Sequence, residues 1–276
     1  MRFSKMHGAG NDFVVIDRRG AREAFDPELA RRLGDRHTGI GFDQLMLIEA
    51  PRTQGAIASY AIFNPDGSSA RQCGNGARCV AAWLKRDGSA PGQGAFALDS
   101  PAGTIAAWAL PDGRFRIDMG EPDFSPDAIG LDAPTPADPY VFTLGDGSRL
   151  EAGAVSMGNP HVVLEVADAA RADVAGIGAA LQRHPAFRDS CNVGFAQILD
   201  ASHVRLRVYE RGAGETLACG SGACAAVAVL RKRGKLAEQV HVELPGGVLE
   251  LSWPGVGAPI LMAGPAQFVF EGEWHS

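Results

Sequence analysis

The 276-residue sequence has no unbroken apolar stretch approaching the length of a membrane span. Lys5, His7 and Asp12 interrupt the N-terminal run, so neither an anchor nor a secretory leader is expected, and a cytoplasmic location is. Its five cysteines are an odd number, and no two stand in a C-x-x-C arrangement. That argues against a disulfide framework or a zinc ribbon and for reduced thiols with no bound metal. A basic run is also missing, and the net charge of −6 speaks against nucleic acid or an anionic membrane as partner. Gly8-Ala9-Gly10 and Gly212-Ala213-Gly214 are too short and misplaced for a dinucleotide fingerprint, and no Gly-Lys-Ser/Thr phosphate loop occurs.

What the sequence does contain is a repeat. Cys73-Gly-Asn-Gly-Ala and Cys219-Gly-Ser-Gly-Ala each place a cysteine at the mouth of a small-residue loop. Ala77, Val80, Ala81, Trp83 and Leu84 follow the first loop, and Ala223, Ala225, Ala226, Val229 and Leu230 the second. Both runs read as buried helices that end in basic residues, with Gly88 and Gly234 as stops. A thiol at the positive end of a helix dipole is expected to titrate below its free value of ~8.5, beside N–H groups able to hold an anion.

The likeness extends well beyond the loops. Asn159 answers Asn11 and Asn192 answers Gln44, both at a lag of 148 (159 − 11 and 192 − 44). The cysteines lie at 146 (219 − 73), and Pro245 answers Pro101 at 144 (245 − 101). A slowly drifting lag is what duplication followed by small deletions leaves. The length suits two domains, and 46% apolar residues can supply two cores.

Alternation and turn residues predict strands near Phe13–Asp17, Leu45–Glu49, Ile57–Phe63, Phe96–Asp99, Thr104–Ala109 and Phe115–Asp118, with a helix from Pro27 to about Leu33 capped by Asp26. The second copy predicts strands near Val162–Val166, Val193–Ile198, Val204–Tyr209, Val240–Glu243 and Val248–Ser252, and a helix near Val174–Arg183. This is an α+β architecture of two similar domains, each a mixed or antiparallel sheet around a central helix. The Pro- and Asp-rich stretch Glu121–Pro139 reads as the linker, and Gln267-Phe268-Val269-Phe270 as a strand added back to the first domain. Duplicated domains related by a pseudo-two-fold axis would carry Cys73 and Cys219 to opposite sides of one cleft. That geometry suits inversion of a stereocentre, which needs a base on one face of a carbon and an acid on the other.

Lys5-Met-His-Gly-Ala-Gly-Asn-Asp-Phe13, Gly41-Phe-Asp-Gln44, Asp66-Gly-Ser68, Cys73-Gly-Asn-Gly-Ala-Arg-Cys79, Met157-Gly-Asn-Pro-His161, Glu210-Arg-Gly-Ala-Gly-Glu-Thr216 and Cys219-Gly-Ser-Gly222 together resemble diaminopimelate epimerases along the whole chain. The resemblance implies a cofactor-independent homodimer that interconverts LL- and meso-diaminopimelate for lysine and cell-wall synthesis. It implies domain boundaries near Gly120 and Gly264, giving residues 1–120 plus 265–276 and residues 121–264. It makes Cys73 and Cys219 the acid/base pair, with Gly74, Asn75, Gly220 and Ser221 on the reacting carboxylate. Asn11, Gln44, Asn64, Asn159, Asn192, Glu210 and Arg211 would read the rest of the substrate, and His161 and Glu210 would stand beside the thiols and tune them. Pro65 departs from the family, which more often has a small residue before Asp-Gly-Ser.

Taken singly, these asparagines serve equally as turn or cap residues, His161 as a core histidine, and Arg211 as a solvated charge. Cys79 and Cys224 fall inside apolar helices and read as structural, whereas Cys191 has no evident role. Two other readings compete: a proline or hydroxyproline racemase-like enzyme with two cysteines, and a redox switch in which Cys73 and Cys219 form a reversible disulfide. The racemase has no distal zwitterion to call for Arg211 and several asparagines. A phenazine-biosynthesis-type isomerase shares the fold, but the paired cysteines speak against it.

Overall fold

The computed structural model describes residues 1–275. The chain divides into two compact units, Met1–Asp118 with the stretch from Ala263 onward, and Met119–Met262.

In the first unit the chain forms β1 (Arg2–Gly8), β2 (Asn11–Asp17), α1 (Pro27–Gly34), β3 (Gln44–Glu49), β4 (Ala56–Phe63), β5 (Ser69–Ala70), α2 (Gly74–Asp87), β6 (Ala95–Ser100), β7 (Gly103–Ala109) and β8 (Phe115–Asp118). The second unit follows with α3 (Pro126–Ile129), β9 (Tyr140–Thr143), β10 (Arg149–Ser156), β11 (Pro160–Glu165), α4 (Val174–Gln182), β12 (Asn192–Asp200), β13 (His203–Glu210), β14 (Gly214–Thr216), α5 (Gly220–Lys232), β15 (Gln239–Leu244) and β16 (Gly247–Ser252). After β17 (Leu261–Gly264), β18 (Gln267–Glu273) pairs antiparallel with β1, so the late Phe-rich segment does return to the first unit as an added strand.

Strand pairing carries the duplication. From β1 to β7 the neighbours alternate antiparallel, parallel, antiparallel, parallel and antiparallel through β2, β3, β4 and β6. From β10 to β16 the same alternation runs through β11, β12, β13 and β15. Each parallel step requires a crossover, and a helix supplies it: α1 and α2 in the first unit, α4 and α5 in the second.

The central helices are almost wholly buried, α2 from Gly74 to Ala82 and α5 from Gly222 to Leu230. Contacts of α2 with β1, β2, β3, β7 and β8, and of α5 with β10, β11, β12, β13 and β16, describe a sheet wrapped around a helix in each unit. Small residues let helix and sheet approach closely. A Cβ at Gly153 on β10 would lie 2.2 Å from Val229 Cγ1 on α5, and one at Gly76 would lie 2.6 Å from Met46 Sδ on β3. Continuous apolar runs such as Phe13-Val14-Val15-Ile16 follow from burial on both faces of the strand.

Glu121–Pro139 is not a free linker. Asp123 bridges to Ser156 and Leu131 to Phe187, α3 forms with Ser125 as its cap, and Ile129 and Leu131 join the core of the second unit. Proline and aspartate mark turns and caps here without keeping the segment off the core. The N-terminal helix also runs one residue further than expected, through Gly34, and Asp35 caps it. Among the described residues no helix is long and apolar enough to cross a membrane.

Candidate active site: two half-sites of related build

In each unit the residues singled out by the repeat gather at the N-terminal end of the central helix. Asn11 opens β2, Gln44 opens β3 in parallel register with Phe13, and Asn64 follows the end of the antiparallel β4. In the second unit Asn159 precedes β11, Asn192 opens β12 opposite His161, and Glu210 ends β13. Strand direction alone therefore delivers, within each unit, its three residues to the edge at which that unit's own central helix starts.

Cys73 and Cys219 are the N-caps of α2 and α5, both in extended backbone conformation. The first intrahelical bonds run from Ala77 N to Cys73 O and from Ala223 N to Cys219 O. The N–H groups of Gly74, Asn75, Gly220 and Ser221 thus lie ahead of the helical ladder, where an anion is favoured. Cys73 Sγ accepts from Gly76 N at 3.3 Å and lies 3.9 Å from Asn11 Oδ1. In the same unit Gln44 Nε2 donates to Asn64 Oδ1 at 3.1 Å, and Asn64 Nδ2 to Ser68 Oγ at 3.0 Å.

The second half-site differs chiefly in charge. Cys219 Sγ donates to Glu210 Oε2 at 2.9 Å, and the other carboxylate oxygen accepts from Thr216 Oγ1. Ser221 Oγ lies 3.7 Å from the sulfur, and Asn159 Nδ2 donates to it at 3.5 Å. Asn159 Oδ1 is 3.1 Å from His161 Nε2, so His161 connects to the thiol through Asn159 and Ser221. Asn192 Oδ1 accepts from the Arg211 backbone N–H at 2.9 Å while its Nδ2 donates to Pro160 O. The exposed Arg211 guanidinium donates to Asp189 O at 2.7 Å.

Electrostatics overturn one expectation. Burial, then the negative charge of Glu210 and its hydrogen bond, push the Cys219 thiol well above its ordinary value, although it caps a helix. A half-charge spread over a helix end is a smaller influence than desolvation plus a full carboxylate in contact. Burial and the positive charge of Arg211 lower His161 to about 3, so its ring is neutral near pH 7. Cys79 and Cys191 are raised to about 12, chiefly by burial, as structural thiols should be. Cys191 belongs to the hydrophobic core of the second unit, and Cys224 is buried in α5.

Three residues of this neighbourhood had no role in the sequence reading: Asp43, Arg78 and Thr216. All lie inside the quoted motifs. An arginine within the apolar run of α2 was the one signal that could have drawn attention to Arg78. Among the described residues no three His, Cys, Asp or Glu side chains come together as a metal-binding group.

A family model described as diaminopimelate epimerase matches residues 3–125 and 153–269. Diaminopimelate epimerases of Xanthomonas axonopodis pv. citri and Xylella fastidiosa strain M12 are 56% and 52% identical over 276 residues, covering 100% of this chain and 96% of each relative. Among solved structures, a hydroxyproline epimerase from Agrobacterium vitis superimposes with a TM-score of 0.74 at 16% identity, covering 99% of this chain and 91% of that one. A phenazine-biosynthesis PhzF-family protein from Bacillus anthracis gives 0.71 at 16% identity, covering 100% and 99%. At such low identity these two establish a shared fold.

Proposed function

The chain belongs to the diaminopimelate epimerase family, and from that premise we propose that it interconverts LL- and meso-diaminopimelate in lysine biosynthesis by proton exchange at the α-carbon between Cys73 and Cys219, without a cofactor. The observation that carries the reading is the equivalent setting of the two thiols, each the N-cap of its unit's buried helix.

One sulfur, as thiolate, removes the α-proton and becomes a thiol, and the electron pair stays on carbon, delocalised into the carboxylate. The second sulfur, initially a thiol, delivers its proton to the opposite face and becomes a thiolate. Charge and protons balance, and the two sulfurs end with their roles exchanged, ready for the reverse reaction. An amino-acid α-carbon is a weak acid, so the developing charge needs fixed donors. The N–H groups of Gly74, Asn75, Gly220 and Ser221 serve that purpose at the positive helix ends. Glu210 keeps Cys219 protonated until it is called on, and neutral His161 orients Asn159 without adding charge. Asn11, Gln44, Asn64, Asn159, Asn192, Glu210 and Arg211 supply the amide, carboxylate and guanidinium groups that a substrate zwitterionic at both ends requires.

Reduced protein, with no added metal or pyridoxal phosphate, is expected to epimerise LL-diaminopimelate in heavy water and place deuterium at the α-position. Proline, offered as the competing substrate, is expected to be left unchanged. Cys73→Ala and Cys219→Ala should each lower turnover by about 10²–10⁴-fold. Near-full activity of either variant in both directions would discard the two-thiol mechanism. We read the protein as a cytoplasmic homodimer, for which light scattering should give twice the 28.9 kDa of one chain.

A further inference from the structure

The amide of Asn11, beside Cys73, sits in a chain of hydrogen bonds whose two ends have fixed polarity. Asn11 Nδ2 donates to Asp43 Oδ2 at 2.8 Å, and Asn11 Oδ1 accepts from Asn75 Nδ2 at 3.3 Å. Asn75 Oδ1 in turn accepts from Arg78 Nη2 at 2.8 Å. A guanidinium can only donate and a carboxylate can only accept, so neither amide can flip without setting donor against donor or acceptor against acceptor.

Both ends are themselves anchored. Arg78 is fully buried and its Nε donates to Pro265 O at 3.2 Å. Asp43 is held by Arg36 Nη2 at 2.8 Å and accepts from the Asp12 backbone N–H at 3.1 Å. Asp12 is held by Lys5 and Arg36, which outweigh the effect of its burial and keep its carboxyl at about 2. The consequence falls on Cys73, because the group that Asn11 turns toward its sulfur at 3.9 Å is a carbonyl, an acceptor for S–H.

We propose that Asp43 and Arg78 are positioning residues that lock the Asn11 and Asn75 amides in one orientation and so present an acceptor, and not an N–H donor, to Cys73. Among the described residues the second copy holds its amide differently, with His161 Nε2 at 3.1 Å from Asn159 Oδ1. Position 224, five residues after Cys219 as Arg78 is after Cys73, is a cysteine, and there Asn159 turns its amide nitrogen toward Ser221. The first half-site thus turns an amide oxygen to its sulfur, whereas the second turns an amide nitrogen to the serine beside its sulfur.

The decisive variant is Asp43→Asn/Arg78→Gln in the full chain, because an amide at each end of the relay can donate as well as accept, so that Asn11 and Asn75 can flip together. Asp43 is 45% exposed and Arg78 fully buried, so Asp43→Asn alone, in which Arg78 still turns Asn75, is made alongside as the control expected to keep the parent midpoint. The readout is the pH midpoint of Cys73 alkylation by iodoacetamide, followed by mass spectrometry. It is measured in 1 M KCl, where the Debye length is about 3 Å, and the double variant removes one charge of each sign, so no net charge is lost. Tyr60 on β4 and Cys79 on α2, which feel the charge of Cys73, are unchanged in both variants.

A flipped amide donates to the sulfur and favours the thiolate, so the midpoint should fall by about half a unit or more, roughly a threefold change in thiolate fraction. kcat/KM for epimerisation should fall about tenfold with it. A double-variant midpoint within about 0.2 unit of the parent, or a fall of about half a unit or more in Asp43→Asn alone, would overturn the lock. The kinetic arm rests on the proposed epimerase reading, but the alkylation arm does not. Parent protein without epimerase activity would refute the reading and leave the lock to be judged by its thiol.

Discussion

Glu210→Gln tests the electrostatic account of Cys219 most sharply. The substitution keeps the shape of the side chain beside the sulfur, 2.9 Å away, and removes its negative charge. Two unit charges about 4 Å apart repel by about 4 kcal/mol at an effective dielectric of about 20. Since one pKa unit corresponds to about 1.36 kcal/mol, the ceiling on the effect is about three units. Water admitted to the site lowers that figure, and we expect the Cys219 midpoint to fall by about one to two units. The sign follows from the mechanism: a carboxylate opposes the thiolate, and a neutral amide does not. An amide N–H turned to the sulfur would push in the same direction.

The assay is iodoacetamide alkylation of Cys219 against pH, read by peptide mass spectrometry. Burial slows the reaction and raises the midpoint in parent and variant alike, so the difference between them reports the charge of Glu210. Catalysis gives the second readout. A stabilised thiolate is a weaker base when Cys219 takes the α-proton, and the sulfur loses the carboxylate that positions its S–H. kcat/KM should therefore fall about 10–10²-fold, by the same factor for LL and meso substrates, because the equilibrium constant is unchanged. A midpoint that stays put or rises would refute the claim that Glu210 holds Cys219 protonated.

Packing of α5 on its sheet predicts that Gly153→Ala, which drives a Cβ to 2.2 Å from Val229 Cγ1, destabilises the protein by about 1–3 kcal/mol in denaturant unfolding. A change below about 0.5 kcal/mol would mean that the helix shifts freely. His161 is depressed to about 3, so the unfolded chain binds a proton that the folded one refuses between about pH 6.5 and 3. Its contribution is complete above the unfolded value and is lost as pH falls, at up to about 1.36 kcal/mol per unit. In NMR the ring should show no titration above pH 5, and a midpoint near 6.5 would contradict its burial.

The duplicated architecture was legible because its signals are local or periodic. Helix starts at Cys73 and Cys219, the cap at Asp26, and the alternating strands all depend on residues within a few positions of one another. The second-unit strands also fall where the first-unit pattern, displaced by about 148 residues, puts them. The short strands β5, β9, β14 and β17 were missed, since two to four residues carry too little periodicity, and so were the longer β1 and β10, whose sequences do not alternate cleanly. The Glu121–Pro139 stretch misled because proline and aspartate report local turns, while Ile129 and Leu131 find their partners only in the folded unit.

The sequence by itself determined that there are two related thiols, each opening an apolar helix, and which polar residues recur around them. It could not determine how those thiols ionise. The expected depression came from the helix end, a local feature, whereas the actual direction at Cys219 comes from desolvation and from a carboxylate carried to the sulfur by the turn between β13 and β14. The polarity of the Asn11 amide is likewise invisible in sequence, because it is set from both ends by Asp43 and Arg78, 35 residues apart along the chain (78 − 43). Charge state and hydrogen-bond direction depend on distances of a few ångströms between remote residues, and only tertiary structure creates those distances.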